Sequence, residues 1–74
     1  MPPATPTPIL TPADLGRVIR ARRQKLGLQQ AEVAMQSGVS PPTVSAIENG
    51  KETARIGLVL RSCQDLGLRI KLET

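Results

Sequence analysis

Apolar residues recur every three or four positions along most of this chain, which is the spacing of one buried helix face. The first such stretch comprises Leu15, Val18, Ile19, Arg22 and Leu26. Thr11 is a favourable N-cap before it, Pro12 suits the first helical position, and Gly27 is suited to ending a helix. The pattern therefore predicts a first helix that begins at Thr11 and ends at Gly27.

Two short helices joined by a tight turn are expected next. The second helix should span about residues 30–37, and Gly38 should form the turn because glycine readily adopts a positive φ. Ser40 is the expected cap of the third helix, since the two prolines that follow it fit only in a first helical turn, where their missing N–H groups have no helical partner. This helix should run to residue 49.

The residues on either side of the turn have the spacing of two helices that cross at a steep angle. Ala34 is small where the helices approach each other, and the apolar contacts are expected from Val33, Val39, Val44 and Ile47. This is the arrangement of a helix-turn-helix, whose second helix is presented to the major groove of DNA. We therefore expect double-stranded DNA as a partner.

A fourth helix is expected over roughly residues 54–66, with one face formed by Ile56, Val59, Leu60, Cys63 and Leu66. The predicted fold class is all-α, a four-helix bundle that contains a helix-turn-helix. Because prolines are frequent at the start of the chain, we expect a flexible Pro-rich arm at residues 1–10. The helical domain should then occupy residues 11–67 and a dimerisation strand residues 68–74.

Leu68, Ile70 and Leu72 alternate with charged residues near the end of the chain, which is the pattern of a half-buried β-strand. The sequence offers no second strand, and a single strand needs a partner for its backbone groups. The simplest partner is the same strand of a second copy, which would place these three side chains over the shared core of a homodimer. A frayed tail and a strand that adds to another protein are the alternatives.

The amino-acid composition restricts the kinds of partner and of chemical site that this chain can have. The formal net charge is +4, which favours a polyanionic partner, and the absence of aromatic residues disfavours stacking on single-stranded bases. With no His and one Cys, a zinc site and the common nucleophilic arrangements are excluded, so we expect no enzyme, no metal and no cofactor. No segment has the roughly 20 apolar residues of a membrane helix. The lone Cys63, expected to be buried, fits a reducing, cytoplasmic compartment.

The span from residue 17 to residue 51 resembles the lambda repressor–Cro family, also called Xre-type helix-turn-helix proteins. The resemblance rests on two fragments, LGLQQAEVA at 26–34 and VSAIENGK at 44–51, and on the spacing between them. One departure is Gln29, where the family usually has Thr or Ser as the cap of the second helix.

The ends of the chain resemble a narrower group, the HipB-type antitoxins. The similar features are the Thr11–Pro12 cap, the four helices and the closing LGLRIKL segment at 66–72. This resemblance implies C-terminal strands that pair across a homodimer, repression of the protein's own operon, and binding of a HipA-like kinase toxin.

The family resemblance also implies roles for individual residues. Those expected to face the bases are Ser40, Pro41, Pro42, Thr43, Ser45 and Ala46. Those expected to contact phosphates are Gln30, Asn49 and Lys51, with Arg55 beside them. Arg23 and Glu48 match a salt bridge that would orient the third helix. Each polar residue could instead be simply solvated.

These residue types predict modest direct readout of the bases. Proline and alanine can touch only the methyl groups of thymine, whereas Thr43 and Ser45 can form hydrogen bonds with several bases. The shape and deformability of the site are therefore expected to contribute. The leading hypothesis is a dimeric repressor of a palindromic operator. A regulator of the same fold without a toxin and a protein-interaction module are the alternatives.

Overall fold

The computed structural model describes residues 7–73, which fold into four helices. These are α1 (Pro12–Lys25), α2 (Gln30–Ser37), α3 (Pro41–Glu48) and α4 (Ile56–Asp65). The prediction of an all-α, four-helix fold with a helix-turn-helix is confirmed. Residues 1–6 of the expected Pro-rich arm, and Thr74, lie outside the described residues.

The starts of α1 and α3 are set by capping side chains. Thr11 Oγ1 accepts a hydrogen bond from the N–H of Asp14 at 3.1 Å, and the Asp14 carboxylate accepts from the N–H groups of Leu10 and Thr11 at 2.9 and 3.1 Å. These bonds, that of Leu10 foremost, hold the pKa of Asp14 below its usual value. At α3, Ser40 Oγ accepts from the N–H of Thr43 at 3.4 Å, and the two prolines occupy the first turn. Both starts agree with the sequence prediction.

The second helix begins without a cap from the preceding side chain. The side chain of Gln29, which stands where the family usually has Thr or Ser, makes no capping hydrogen bond. The carboxylate of Glu32 instead accepts from the Gln29 N–H at 3.0 Å, which satisfies one of the donors left over at the helix start. At the other end, Gly38 adopts a φ of 70°, so the predicted positive-φ turn is confirmed.

The core lies where the four helices meet. Its buried residues are Ile19, Val33, Ala34, Val44, Ile47, Val59, Cys63 and Leu66. Burial raises the pKa of the Cys63 thiol, because the thiolate would lose its hydration. The thiol is therefore a structural, buried group, as expected.

Three residues predicted to lie on buried helix faces are exposed instead. Leu26 is 45% exposed because α1 ends at Lys25 and leaves Leu26 as the C-cap. Ile56 is 66% exposed because α4 begins at this residue, two positions later than expected. Leu60 is 42% exposed on the flank of the same helix. The N-cap of α4 is Arg55, whose side chain makes no capping hydrogen bond.

Two glycines allow α1 and α3 to approach at backbone distance. A Cβ on Gly16 would lie 2.4 Å from the carbonyl oxygen of Glu48 and 2.6 Å from that of Ile47. Gly50 has a φ of 79°, and a Cβ there would lie 2.5 Å from the Cα of Ala13. The close contacts at Gly16 and Gly50 together fix the position of α3 relative to α1.

Two polar contacts hold α4 against the other helices. Arg22 Nε donates to the carbonyl oxygen of Leu66 at 2.8 Å, which connects α1 to the C-terminal end of α4. Ser37 Oγ donates to Asp65 Oδ2 at 2.7 Å, which connects the end of α2 to the same region. The far end of α4, where the last segment of the chain begins, is therefore fixed relative to the core.

The segment at residues 68–73 follows α4 and contains no β-strand; neither does the rest of the described chain, from residue 7 onward. A single copy supplies no neighbouring strand for this segment, so the strand and its pairing remain predictions. Leu68 is half-buried against the core and donates its N–H to the Cys63 carbonyl at 2.8 Å. Ile70 and Leu72 are 52% and 92% exposed.

Candidate nucleic-acid interface

The start of α3 and its cap carry the side chains that the family resemblance assigns to the bases. We call them the recognition surface: Ser40, Pro41, Pro42, Thr43, Ser45 and Ala46. Its first three members are exposed and the others are half-buried. The buried side of the same helix carries Val44 and Ile47, which are 2% and 5% exposed. The helix is thus divided into a core side and a side that a ligand can reach.

Hydrogen bonds order the hydroxyl groups of the recognition surface. Ser40 Oγ and Thr43 Oγ1 lie 2.9 Å apart and share one hydrogen bond. Asn49 Nδ2 donates to Ser45 Oγ at 3.4 Å. Each hydroxyl has one donor and two acceptor sites, so each retains capacity for a base or a bridging water. This surface offers short hydroxyls and methylene groups, but it has no side chain that bonds a base bidentately.

Polar and cationic residues flank this surface. Lys51 is exposed directly after α3, and its N–H donates to the Ala46 carbonyl at 3.0 Å. Arg55 is exposed at the N-cap of α4. Gln30, at the start of α2, is half-buried and donates from Nε2 to Glu48 Oε1 at 3.1 Å. The structure therefore brings Gln30 to the end of α3, and one amide hydrogen and the amide oxygen of Gln30 remain for other partners.

A buried ion pair connects α3 to α1. Arg23 Nε donates to Glu48 Oε2 at 2.6 Å, and Arg23 Nη2 donates to Glu48 Oε1 at 3.0 Å. The two side chains are 11% and 2% exposed, and the hydrogen bond to Glu48 raises the pKa of Arg23. Arg23 Nη1 also donates to the Leu28 carbonyl at 2.8 Å. We call Arg23, Leu28, Gln30 and Glu48 the anchor cluster, because their contacts join α1, the start of α2 and the end of α3.

Sequence reasoning missed two parts of this arrangement. Gly16 was not singled out, although a glycine inside a helical pattern is unfavourable and often has a packing reason. The Leu28 carbonyl could not have been found, because a backbone acceptor leaves no signal in the residue type. Both features position α3 and lie outside the recognition surface itself.

The charge that remains exposed is mainly positive. Within residues 7–73 the ion pairs are Asp14–Arg17 and Arg23–Glu48. The exposed cationic residues outside these pairs are Arg20, Lys25, Lys51, Arg55, Arg61, Arg69 and Lys71. Across this part of the chain, no group of three or more His, Cys, Asp or Glu side chains could hold a metal ion. None of its helices is long and apolar enough to cross a membrane.

Comparisons with known proteins agree with this geometry. Residues 19–71 match the family described as helix-turn-helix. The chain is 42% identical over 64 residues to the uncharacterized HTH-type transcriptional regulator y4mF of Sinorhizobium fredii, which covers 86% of this chain and 84% of that protein. Among solved structures, the HipB-O4 20mer complex matches with a TM-score of 0.82 and the HipA-HipB-O2-O3 complex with 0.83. Both are 27% identical and cover 90% of this chain and 94% of the matched chain.

Proposed function

Because the chain belongs to the helix-turn-helix family of transcriptional regulators, we propose that it is a sequence-specific DNA-binding repressor. We further propose that it is the HipB-like antitoxin of a toxin–antitoxin operon. In this role it would repress its own operon as a homodimer and neutralise a HipA-like kinase toxin. The similarity to solved complexes of HipB, one of them with HipA, supports the second part.

One observation carries the DNA-binding proposal: α3 is rigidly anchored on its buried side and accessible along its recognition surface. The anchor cluster and the backbone contact at Gly16 hold the helix from behind. Lys51 and Arg55 are exposed beside it, where positive charge attracts a phosphate backbone. We assign Gln30, Asn49, Lys51 and Arg55 to phosphates, which position a protein on DNA without reading its sequence.

The composition of the recognition surface makes pairing of two subunits important. A good bidentate contact discriminates between bases by about 1–3 kcal/mol, and this surface has no side chain suited to one. Thr43 and Ser45 would each contribute single hydrogen bonds, and the prolines would contact thymine methyl groups. Specificity must therefore accumulate over two half-sites of a palindrome.

A second copy would also cover apolar surface at the end of the chain. An open groove of about 380 Å³ lies between α4 and the C-terminal segment, and Leu60, Cys63 and Ile70 line it. Ile70 and Leu72 are largely exposed beside it. Pairing of the segment that carries Leu68, Ile70 and Leu72 with the same segment of a partner would bury Ile70 and Leu72 beside Leu68, which already packs against its own core, and would supply the missing backbone hydrogen bonds.

A mobility-shift titration tests the DNA-binding proposal. The full chain is titrated onto the region upstream of its own gene at several salt concentrations, and binding should weaken steeply with salt. Thr43→Glu and Lys51→Glu should each abolish the specific shift, because they add negative charge beside phosphates. Arg61→Glu is the matched control, since Arg61 is an exposed cation on α4 that belongs neither to the recognition surface nor to the residues assigned to phosphates.

The outcomes separate the alternatives. Loss of binding in both test variants, with Arg61→Glu unaffected and all dimers intact by sedimentation, supports DNA recognition through α3. No salt-sensitive shift on any palindromic upstream site would reject it and favour a protein-interaction module. Co-expression with the product of a neighbouring kinase-like gene tests the antitoxin role. If no such product co-purifies or is neutralised, the chain is a regulator without a toxin.

A further inference from the structure

The charges of the C-terminal segment contain information about how two copies would pair. Arg69, Lys71 and Glu73 alternate with Leu68, Ile70 and Leu72, and all three charged residues are exposed. Neither Arg69 nor Glu73 forms an ion pair with another described residue of its own chain. Arg69 and Glu73 carry opposite charges and lie two positions before and two positions after Lys71. In a second copy of this segment that runs in the opposite direction, each could therefore face the oppositely charged residue.

Geometry restricts the possible alignments of two such segments. When antiparallel strands pair about a two-fold axis, residues equally far from the axis lie opposite each other and share a face. An axis that passes between two residues would place an apolar side chain opposite a charged one, which the alternation disfavours. The axis must therefore pass through a single residue, and Ile70, Lys71 and Leu72 are the candidates that leave at least two residues of the expected strand, 68–74, on each side.

We propose that the axis passes at Lys71, so that Arg69 faces the partner's Glu73 and Ile70 faces the partner's Leu72. This inference rests on the proposed homodimer and specifies its register. The alignment forms two opposite-charge pairs, one on each side of the axis. It also brings together Ile70 and Leu72, the exposed apolar side chains of the segment. Leu68 needs no partner there, because it already packs against its own core.

The two other alignments are less favourable. With the axis at Ile70, Arg69 would lie opposite the partner's Lys71 on both sides, and like charges directly opposite each other are destabilising. With the axis at Leu72, Lys71 would face the partner's Glu73, but Ile70 would lie beyond the paired part of the described segment and stay exposed. The axis at Lys71 has a single like-charge pair, between the two lysines, whose long side chains can extend into solvent.

Charge reversal distinguishes the three registers by the sign of the effect. The dimer dissociation constant of the full chain is measured by sedimentation equilibrium at low salt. For an axis at Lys71, Arg69→Glu should raise the dimer dissociation constant about tenfold, because it turns two attractive charge pairs into repulsive ones. The double variant Arg69→Glu/Glu73→Arg should return the dissociation constant to the wild-type value. An axis at Ile70 predicts a tighter Arg69→Glu dimer, and an axis at Leu72 predicts no change; either result overturns the register.

Disulfide trapping provides an independent measurement. Residues on the axis lie about 5 Å apart between Cα atoms, which is suitable for a disulfide. Under mild oxidation Lys71→Cys should therefore form covalent dimers quickly. Ile70→Cys and Leu72→Cys, whose own copies would be about 8 Å apart, should not. The wild-type chain, whose native Cys63 is buried, gives the background level of cross-linking under the same oxidation.

The failure of the register and the failure of the dimer have different signatures. A stable dimer that cross-links through position 70 or 72 rejects only the register. A wild-type chain that remains monomeric in sedimentation at all concentrations rejects the homodimer proposed above, and the register falls with it.

Discussion

Gly16 shows how one residue can control the position of α3. A side chain there would overlap the carbonyl oxygens of Ile47 and Glu48, which are backbone atoms and cannot rotate away. We expect Gly16→Ala to lower the free energy of unfolding by about 2 kcal/mol, because overpacking forces the backbones apart. Urea denaturation measures this directly.

Gly57 provides a matched control on another helix. It is also helical, and a Cβ added to it would meet no atom within 4 Å. Gly57→Ala should therefore keep or slightly raise stability, because alanine favours a helix. Equal losses in the two variants would show that the contact between α1 and α3 is not the cause of the loss in Gly16→Ala.

Glu48 is the second residue on which the position of α3 depends. Its side chain is 2% exposed and accepts hydrogen bonds from Arg23 and Gln30. We expect Glu48→Gln to cost about 3 kcal/mol of unfolding free energy, because it leaves a buried guanidinium without its counter-charge. Thermal or urea unfolding provides the measurement.

Two further variants test this interpretation of Glu48. The Arg17–Asp14 pair is exposed, so Arg17→Gln should change stability little. The double variant Arg23→Gln/Glu48→Gln should recover part of the loss, since it removes both buried charges. If the double variant loses as much stability as Arg23→Gln and Glu48→Gln lose together when measured singly, the ion pair is not the source of the effect.

At the scale of the elements, the sequence predicted correctly where α1 and α3 begin. It did not predict which residues on the flanks of the helices are exposed. The caps at Thr11 and Ser40 act within four residues, so the sequence alone identifies them. Ile56 and Leu60 fit a helical face by spacing, yet they are exposed because α4 begins late and the face is wider than the core. Which flank of a helix is covered depends on tertiary packing, which spacing does not encode.

The same limit applies to the candidate site. The helix-turn-helix follows from short-range patterns, namely the small Ala34, the turn at Gly38 and the cap at Ser40, whereas the residues of the recognition surface are implied by the family resemblance. The hydrogen bond from Gln30 to Glu48 spans 18 residues and depends on how three helices meet. The assignment of individual residues to bases or phosphates depends on the docked DNA, so it remains a proposal.

The capping box of α1 makes this helix sensitive to acid. Backbone donors, that of Leu10 foremost, lower the pKa of Asp14 in the folded chain. Because the pKa of Asp14 is lower in the folded chain than in the unfolded chain, where it is about 3.9, the ionised carboxylate stabilises the fold at any pH above the unfolded pKa. This stabilisation is lost as the pH falls through the pKa of the folded chain. Asp14→Asn should thus have a lower melting temperature than the wild type at pH 7, and the gap should narrow as the pH falls below the unfolded pKa.

Glu52→Gln is the control for this acid dependence. Glu52 is an exposed carboxylate in the loop before α4. The melting temperature of Glu52→Gln should equal that of the wild type both at pH 7 and in acid. A gap for Asp14→Asn that persists unchanged into strong acid would mean that shape, and not the ionised carboxylate, stabilises the start of α1.

At the scale of the whole molecule, a core without aromatic residues and an uncovered C-terminal segment both favour association. The buried core consists of small and medium aliphatic residues with one cysteine. A chain of 74 residues buries a smaller fraction of its surface than a large domain does. A second copy that covers Ile70 and Leu72 would add apolar burial and fix the distance between two recognition surfaces. Stability and specificity would then depend on the same interface.

A rigid dimer predicts a strict dependence on the spacing of operator half-sites. In helix-turn-helix dimers these sites lie about one helical turn apart, on one side of the DNA. Inserting five base pairs between them turns one half-site away by about half a turn. We expect the affinity to fall on the order of a hundredfold, to that of a lone half-site, because the second recognition surface no longer reaches its target.

Mobility shifts on the native, extended and single half-site duplexes measure this loss of affinity. Equal affinity for the native and extended sites would mean that the two recognition surfaces are joined flexibly, which is incompatible with a paired C-terminal segment that sets their distance.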